Sequence, residues 1–193
     1  MLQGKTITLR TVRHDELDAV YRHIGNVNAK GPWWHLNLPS WHAFHQEYKE
    51  NGCWGDKEGR MLIMARPVVP TSGTIPSDEY IGELLYFKGL DYQSGFEIGY
   101  EIFNPVHYGK GYMTEALSLF CAYLFAVRPI NRVQVNLMKG NSGSCRVAEK
   151  CGFTHEGTMR AATFHRGNHH DLELFSLLRD ESPSLESLLA SRD

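Results

Sequence analysis

Residues 111–127, GYMTEALSLFCAYLFAV, limit the fold more than any other stretch of the chain. Met113, Ala116, Leu117, Phe120 and Leu124 repeat at helical spacing, and Leu119 and Tyr123 widen the apolar surface beyond one stripe. A helix this apolar has to be mostly buried. Just upstream, GFEIGYEIF (95–103) alternates as a strand. Phe96, Ile98, Tyr100 and Ile102 share one face, and Glu97, Gly99 and Glu101 share the other.

The join between strand and helix carries chemistry. Asn104-Pro105 turns the chain, and a loop holding Gly109 and Gly111 runs straight into the helix. Glycines let the backbone aim its N–H groups at one point, and a helix start adds partial positive charge. Such a nest binds phosphate or pyrophosphate without a P-loop lysine. It is not a Walker loop, because no GK[ST] follows four spacer residues. It is a poor dinucleotide fingerprint: Thr114 stands in place of the third glycine, and the preceding strand alternates instead of being continuously apolar. The pyrophosphate loop of a coenzyme A acyltransferase fits, and so does a plain tight turn into a helix.

A second motif follows one strand later. In NSGSCRVAEKCGF (141–153), Asn141 is a strong helix cap and Ser144 lies one turn on, near the positive helix end. Val147, Ala148 and Cys151 form a packing stripe. Gly152 suits a left-handed stop, with Phe153 as the hydrophobic contact after it.

The remaining elements read as follows. KTITLRTV (5–12) is a strand and residues 14–24 a helix. Residues 25–40 form a loop bearing Trp33 and Trp34, and 41–51 form a helix between Ser40 as cap and Gly52 as stop. Residues 60–68 and 80–89 are paired strands joined by a solvated excursion, VVPTSGTIPSDE. Residues 131–139 form a strand, and 154–165 with 171–179 a closing hairpin around RGNHH. The order β-α-α-β-β-β-α-β-α-β-β describes a single mixed α/β domain over residues 1–180, with 181–193 as a tail or short helix.

Bulk properties exclude some partners. A formal net charge of -2 offers no global basic field for nucleic acid or an anionic membrane. Cys53, Cys121, Cys145 and Cys151 form no CxxC pair, which predicts reduced thiols in a cytoplasmic protein. MLQGKTITLR lacks an apolar signal core, and no run reaches membrane-spanning length. His165, His169 and His170 have helix-like spacing, but Gly167-Asn168 marks a hairpin turn and no carboxylate or cysteine completes a site. No metal is expected.

Taken together, YEIFNPVHYGKGYMTEAL and NLMKGNSGSCRVAEKCGFTHEGTMR resemble the GNAT superfamily of CoA-dependent N-acetyltransferases. The closest resemblance is to its Rim-type group, which acetylates N-terminal amines of ribosomal proteins and has many small-molecule-directed relatives. The shared pattern, GKGYxTEA then NxxSxxVAxKxGFxxEG, spans residues 95–178. It implies a mixed, mostly antiparallel central sheet, splayed open between two strands and flanked by about four helices. It also implies acetyl-CoA as cosubstrate, an amine acceptor (a peptide N-terminus or a small molecule) and, as is common in the family, a homodimer.

The resemblance carries roles with it. Backbone N–H groups across Gly109, Lys110, Gly111, Tyr112, Met113 and Thr114 would hold the pyrophosphate, and Ile102 and Phe103 would pair with the pantetheine arm as an added strand. Asn141 would bond that arm, Ser144 would sit near the sulfur and donate to the departing thiolate, and Lys110 and Arg146 would steady phosphates or simply be solvated charges. A backbone N–H near Ile102 would stabilise the oxyanion. An acceptor amine has a pKa of about 8 to 10.4, so a base is needed. Glu101 is the first choice, with Glu97 on the same face, although either could be an ordinary strand charge. Some relatives place an acid after the EG turn; here that stretch holds Thr163, which leaves His165 as a substitute. Trp33, Trp34 and Trp41 would line the acceptor pocket or serve as anchors. Two departures stand out: Tyr108 opens the loop where Gln or Arg is preferred, and Met113 stands where a small residue is usual. They leave room for a CoA-binding module that has lost transfer and, further off, for a nucleotide-binding domain.

Overall fold

In a computed structural model, the chain is described over residues 1–66, 79–89 and 94–190. The excursion expected after residue 67 lies outside the described residues, apart from its last position. The strands are β1 (Leu2–Gln3), β2 (Ile7–Arg10), β3 (Glu58–Ala65), β4 (Glu79–Lys88), β5 (Gly95–Ile102), β6 (Arg132–Met138), β7 (Thr154–His165) and β8 (Asn168–Leu178). They form one sheet in the order β1-β2-β3-β4-β5-β6-β8-β7. Neighbours are antiparallel except β5 and β6, which run parallel and pair only at Gly95↔Arg132, Phe96↔Val133 and Glu97↔Gln134. Beyond Glu97 the two strands part, and the sheet is splayed there.

The α-helices are α1 (Leu17–Ile24), α2 (Trp41–Asn51), α3 (Tyr112–Val127), α4 (Ser142–Lys150) and α5 (Leu185–Ala190). Alternation along the strands feeds two cores on opposite faces of the sheet. On one face, Met61, Ile63, Leu84 and Val133 pack with Leu117, Phe120 and Leu124 of α3. On the other, Leu62 and Met64 pack with Val20 and Ile24 of α1 and Phe44 of α2. The apolar run of α3 thus lies under the sheet. Glu97, Gly99 and Glu101 face the α1–α2 side.

Several boundaries differ from the sequence reading. The helix expected over 14–24 opens as a 3-10 turn, His14–Glu16, because the Glu16 carboxylate caps the Arg13 amide at 2.7 Å and takes both Arg10 guanidinium nitrogens. The closing hairpin turns at Arg166-Gly167, both at positive φ, so β8 already begins at Asn168 and two of the three histidines belong to it. Leu188 and Leu189 of α5 pack against the main core, which ties the C-terminal segment down. The two helix caps fall where the residues indicate: Ser40 Oγ accepts from the Ala43 amide, and Gly52 closes α2 at φ 67°. Among the described residues, no helix is long and apolar enough to cross a membrane.

Candidate active site

The wedge between β5 and β6 is built from unpaired strand edge. The Phe103 amide donates to the Ile81 carbonyl at 2.9 Å. Antiparallel ladders alternate, so the odd residues of β5 bond to β4, while Ile98, Tyr100 and Ile102 turn their N–H and C=O groups toward the opening. The Tyr108 hydroxyl donates to the Ile102 carbonyl at 3.2 Å. Side chains span the gap at two further points. Asn136 of β6 donates to Glu97 Oε2 at 2.8 Å, and the Tyr100 hydroxyl donates to the Ser144 carbonyl at 3.0 Å. Gly82 of β4 lets β5 come close here, since a Cβ on it would lie 2.2 Å from the Glu101 carbonyl oxygen.

The α3 start faces the same opening. Gly111 is its N-cap at φ 84°, Gly109 sits at φ 73°, and no side chain caps the helix. The amides of the first turn are therefore left to an outside acceptor. Space is open around both glycines, and both line the cavity. At α4, Asn141 Oδ1 accepts the Ser144 amide at 3.2 Å, leaving its Nδ2 as the outward donor. Cys151 donates its thiol to the Thr114 carbonyl at 3.4 Å, fastening α4 to α3. The loop, both helix starts and the splayed strands enclose a cavity of about 930 Å³. Its size and mix of walls suit a small-molecule site.

The cavity's other end, on the α1–α2 face, is charged. Glu101 faces Glu83 across the β4–β5 register, and the Arg60 guanidinium pairs with Glu83. The Tyr80 hydroxyl donates to the same carboxylate at 3.4 Å. Lys30 Nζ lies 3.5 Å from Glu101 Oε2 and 5.2 Å from the Trp34 ring centre. Burial pushes the Glu101 carboxyl up to about 7, the Lys30 cation opposing that rise and the Glu83 charge adding to it. The loop over this end is pinned on two sides: His165 Nε2 bonds the Pro32 carbonyl at 2.8 Å, and the Trp33 ring packs against Gly140.

The cavity brings together most of the residues singled out from the sequence. Ile102, Gly109, Gly111, Tyr112, Met113, Thr114, Asn141, Ser144, Arg146, Trp33, Trp34, Glu97, Glu101 and Thr163 all border it. Met113 is also buried in the main core. Others lie elsewhere. The Phe103 side chain stacks on His23 with ring centres 4.8 Å apart, and its amide is turned to β4, where it donates to the Ile81 carbonyl. Lys110 is exposed and off the cavity wall. His165 is 5 % exposed and spent on the Pro32 carbonyl, so it serves the loop and does not stand in for an acid. Trp41 stacks on His45 along the outside of α2 and is no pocket wall. The reading missed Lys30, Asn136, Tyr100, Arg60 and Glu83. Of these, Glu83 carried a signal: an acid inside the otherwise apolar YIGELLYF strand.

The fold and the wedge can be set beside known proteins. The sequence model of the acetyltransferase (GNAT) domain matches residues 6–154. The chain belongs to the GNAT acetyltransferase family. This GNAT domain is 40% identical over 85 residues to YdaF of Bacillus subtilis (strain 168), whose name provisionally makes it a ribosomal N-acetyltransferase. It is 34% identical over 110 residues to YjcK of the same organism, named a probable N-acetyltransferase. The matches take in 44% and 56% of this chain but only 46% and 60% of those relatives. Among solved structures, the GNAT fold superposes on spermidine N-acetyltransferase from Vibrio cholerae in complex with CoA and spermine, with a TM-score of 0.73. That likeness covers 91% of this chain and 97% of the other at 19% identity, and it speaks for the fold.

Proposed function

We propose that this GNAT domain transfers an acetyl group from acetyl-CoA to a primary amine, a peptide N-terminus or a small molecule, by direct attack with both substrates bound. The observation that carries this reading is the coincidence, around one cavity, of an uncapped helix start and a strand edge turned outward. The α3 amides suit a pyrophosphate, and the edge of β5 suits an extended amide-bearing arm. Tyr108 occupies the Ile102 carbonyl and would give way to that arm. The Ile102 N–H, facing the opening, is placed to donate to a carbonyl oxygen. Acetyl-CoA supplies an activated thioester. Glu101 takes the proton from the acceptor ammonium, and the Ser144 hydroxyl donates to the leaving sulfur. Four free thiols, those of Cys53, Cys121, Cys145 and Cys151, fit a cytoplasmic setting.

Calorimetry with CoA and acetyl-CoA tests the nest: both bind at micromolar or tighter concentrations, and NAD gives no heat. No heat from either thiol ester or thiol would end the reading. Thiol release with a panel of amines then separates transfer from mere binding. Ser144→Ala is expected to lower kcat about tenfold, with CoA affinity nearly unchanged.

A further inference from the structure

Lys30 stands against Glu101, the base of the proposed transfer. It follows the 3-10 turn Val27–Ala29, its side chain is 5% exposed, and its Nζ lies 3.5 Å from Glu101 Oε2. That oxygen is buried and has no hydrogen-bond partner among the described residues. The Lys30 contact is thus a charge contact, longer than the roughly 2.8 Å of a strong charge-assisted hydrogen bond. The Trp34 ring lies beneath the same ammonium. A carboxylate with an unused lone pair and an aromatic face beside it are the features by which proteins hold ammonium groups.

The surrounding charges are already committed. Glu83, across the register from Glu101, is taken by Arg60 and Tyr80. Glu97, two residues back on the same face, accepts from Asn136. Tyr108, near Glu101, donates to the Ile102 carbonyl. His107, also on the wall, lies 3.4 Å from Glu79. His23, beside Lys30 and Glu83, stacks on Phe103. The Glu101 carboxylate is left to Lys30.

Building on the acetyl-transfer reading, we infer that Lys30 is an internal stand-in for the acceptor's ammonium. The acceptor enters by displacing Lys30 from Glu101. Lys30 then stays beside the site as a fixed positive charge and turns away acceptors with further cationic groups near the reacting amine. The acceptor class this selects carries a single ammonium on an otherwise neutral or acidic molecule, and Trp33 and Trp34 offer apolar walls to the rest of it.

The test is calorimetry on the full chain saturated with CoA, using propylamine as a singly charged probe and spermidine as a multiply charged one. Lys30→Gln removes both competition and repulsion, and the titrations are run well above pH 7 so that Glu101 stays ionised without the Lys30 cation. Propylamine is expected to bind about threefold tighter and spermidine more than about tenfold tighter. Lys30→Arg keeps the wild-type preference. In the double variant Lys30→Gln/Glu101→Gln both gains vanish, because the carboxylate is gone. Equal gains for the two amines overturn the exclusion of polycations. No gain, or a gain that survives in the double variant, overturns the stand-in role altogether. Lys30→Met reads the same quantities should the Gln variant fail to bind CoA. Amine turnover is measured separately, so an enzyme that binds these amines without acetylating them refutes the transfer reading and leaves the Lys30 result intact.

Discussion

Replacing Glu101 by Gln is expected to lower kcat/KM for the acceptor by about two to four orders of magnitude. The pH dependence identifies the cause. Burial raises this carboxyl to about 7, so in the wild type it is largely protonated at pH 6 and ionised at pH 8. A base works only when ionised. With Glu101 as the base, the wild-type kcat/KM is expected to climb about tenfold per unit below pH 7 and to level off above it. In the variant the break near pH 7 is missing, and the residual rate keeps climbing with the fraction of free amine up to the amine's own pKa of about 8 to 10.4. CoA affinity stays put, because Glu101 faces the α1–α2 side while the α3 amides lie at the other end of the cavity. A variant whose rate still levels off above pH 7 would remove Glu101 as the base. Attention would then move to Glu97, which already accepts from Asn136.

Glu83→Ala is expected to cost the fold several kcal/mol. The carboxylate is 1% exposed and is the partner of the Arg60 guanidinium. Its pairing holds Arg60 above its ordinary value against the opposing effect of burial. Removing the acid leaves the half-buried Arg60 cation, its side chain 16% exposed, without its counter-charge, at a cost of up to about 3–5 kcal/mol. For a chain of this size that corresponds to a fall in Tm of roughly 6–20 °C. Glu83→Gln retains a hydrogen-bond acceptor and should lose less. Because the Glu83 charge adds to the rise at Glu101, either change also moves the acid limb of the rate profile to lower pH. A denaturant midpoint unmoved by Glu83→Ala would mean that Arg60 finds water or another partner.

The two ends of the cavity differ in how far they can be read from the chain. The nest at Gly109–Gly111 and the cap at Asn141 are local features. Positive φ at a glycine, an Asn one turn before Ser144 and an apolar period of a helix all lie within a few residues of one another. The splay follows from the same window only through the family resemblance. The acceptor end is assembled from Arg60, Glu83 and Glu101, joined by strand register, and from Lys30 on the loop after α1, some seventy positions before Glu101. Nothing in periodicity tells Lys30 from a solvated lysine, because what makes it distinctive is the carboxylate it meets. The errors have the same origin. His165 and Trp41 carry chemistry-rich side chains, but a backbone carbonyl claims one and a helix neighbour the other.

Three register pairs and the bond from the Asn131 amide to the Ser94 carbonyl stitch the two halves of the sheet along β5 and β6 among the described residues. Everything beyond that seam is held by side-chain ties such as Tyr100 to Ser144 and by the helices that straddle it. A pantetheine chain stretched along the free edge would add the missing stitches, so the substrate would double as a splice. Starved of its acyl donor, the molecule would breathe along this line, and amide exchange at Tyr100 and Ile102 would serve as a gauge of how well the donor is supplied.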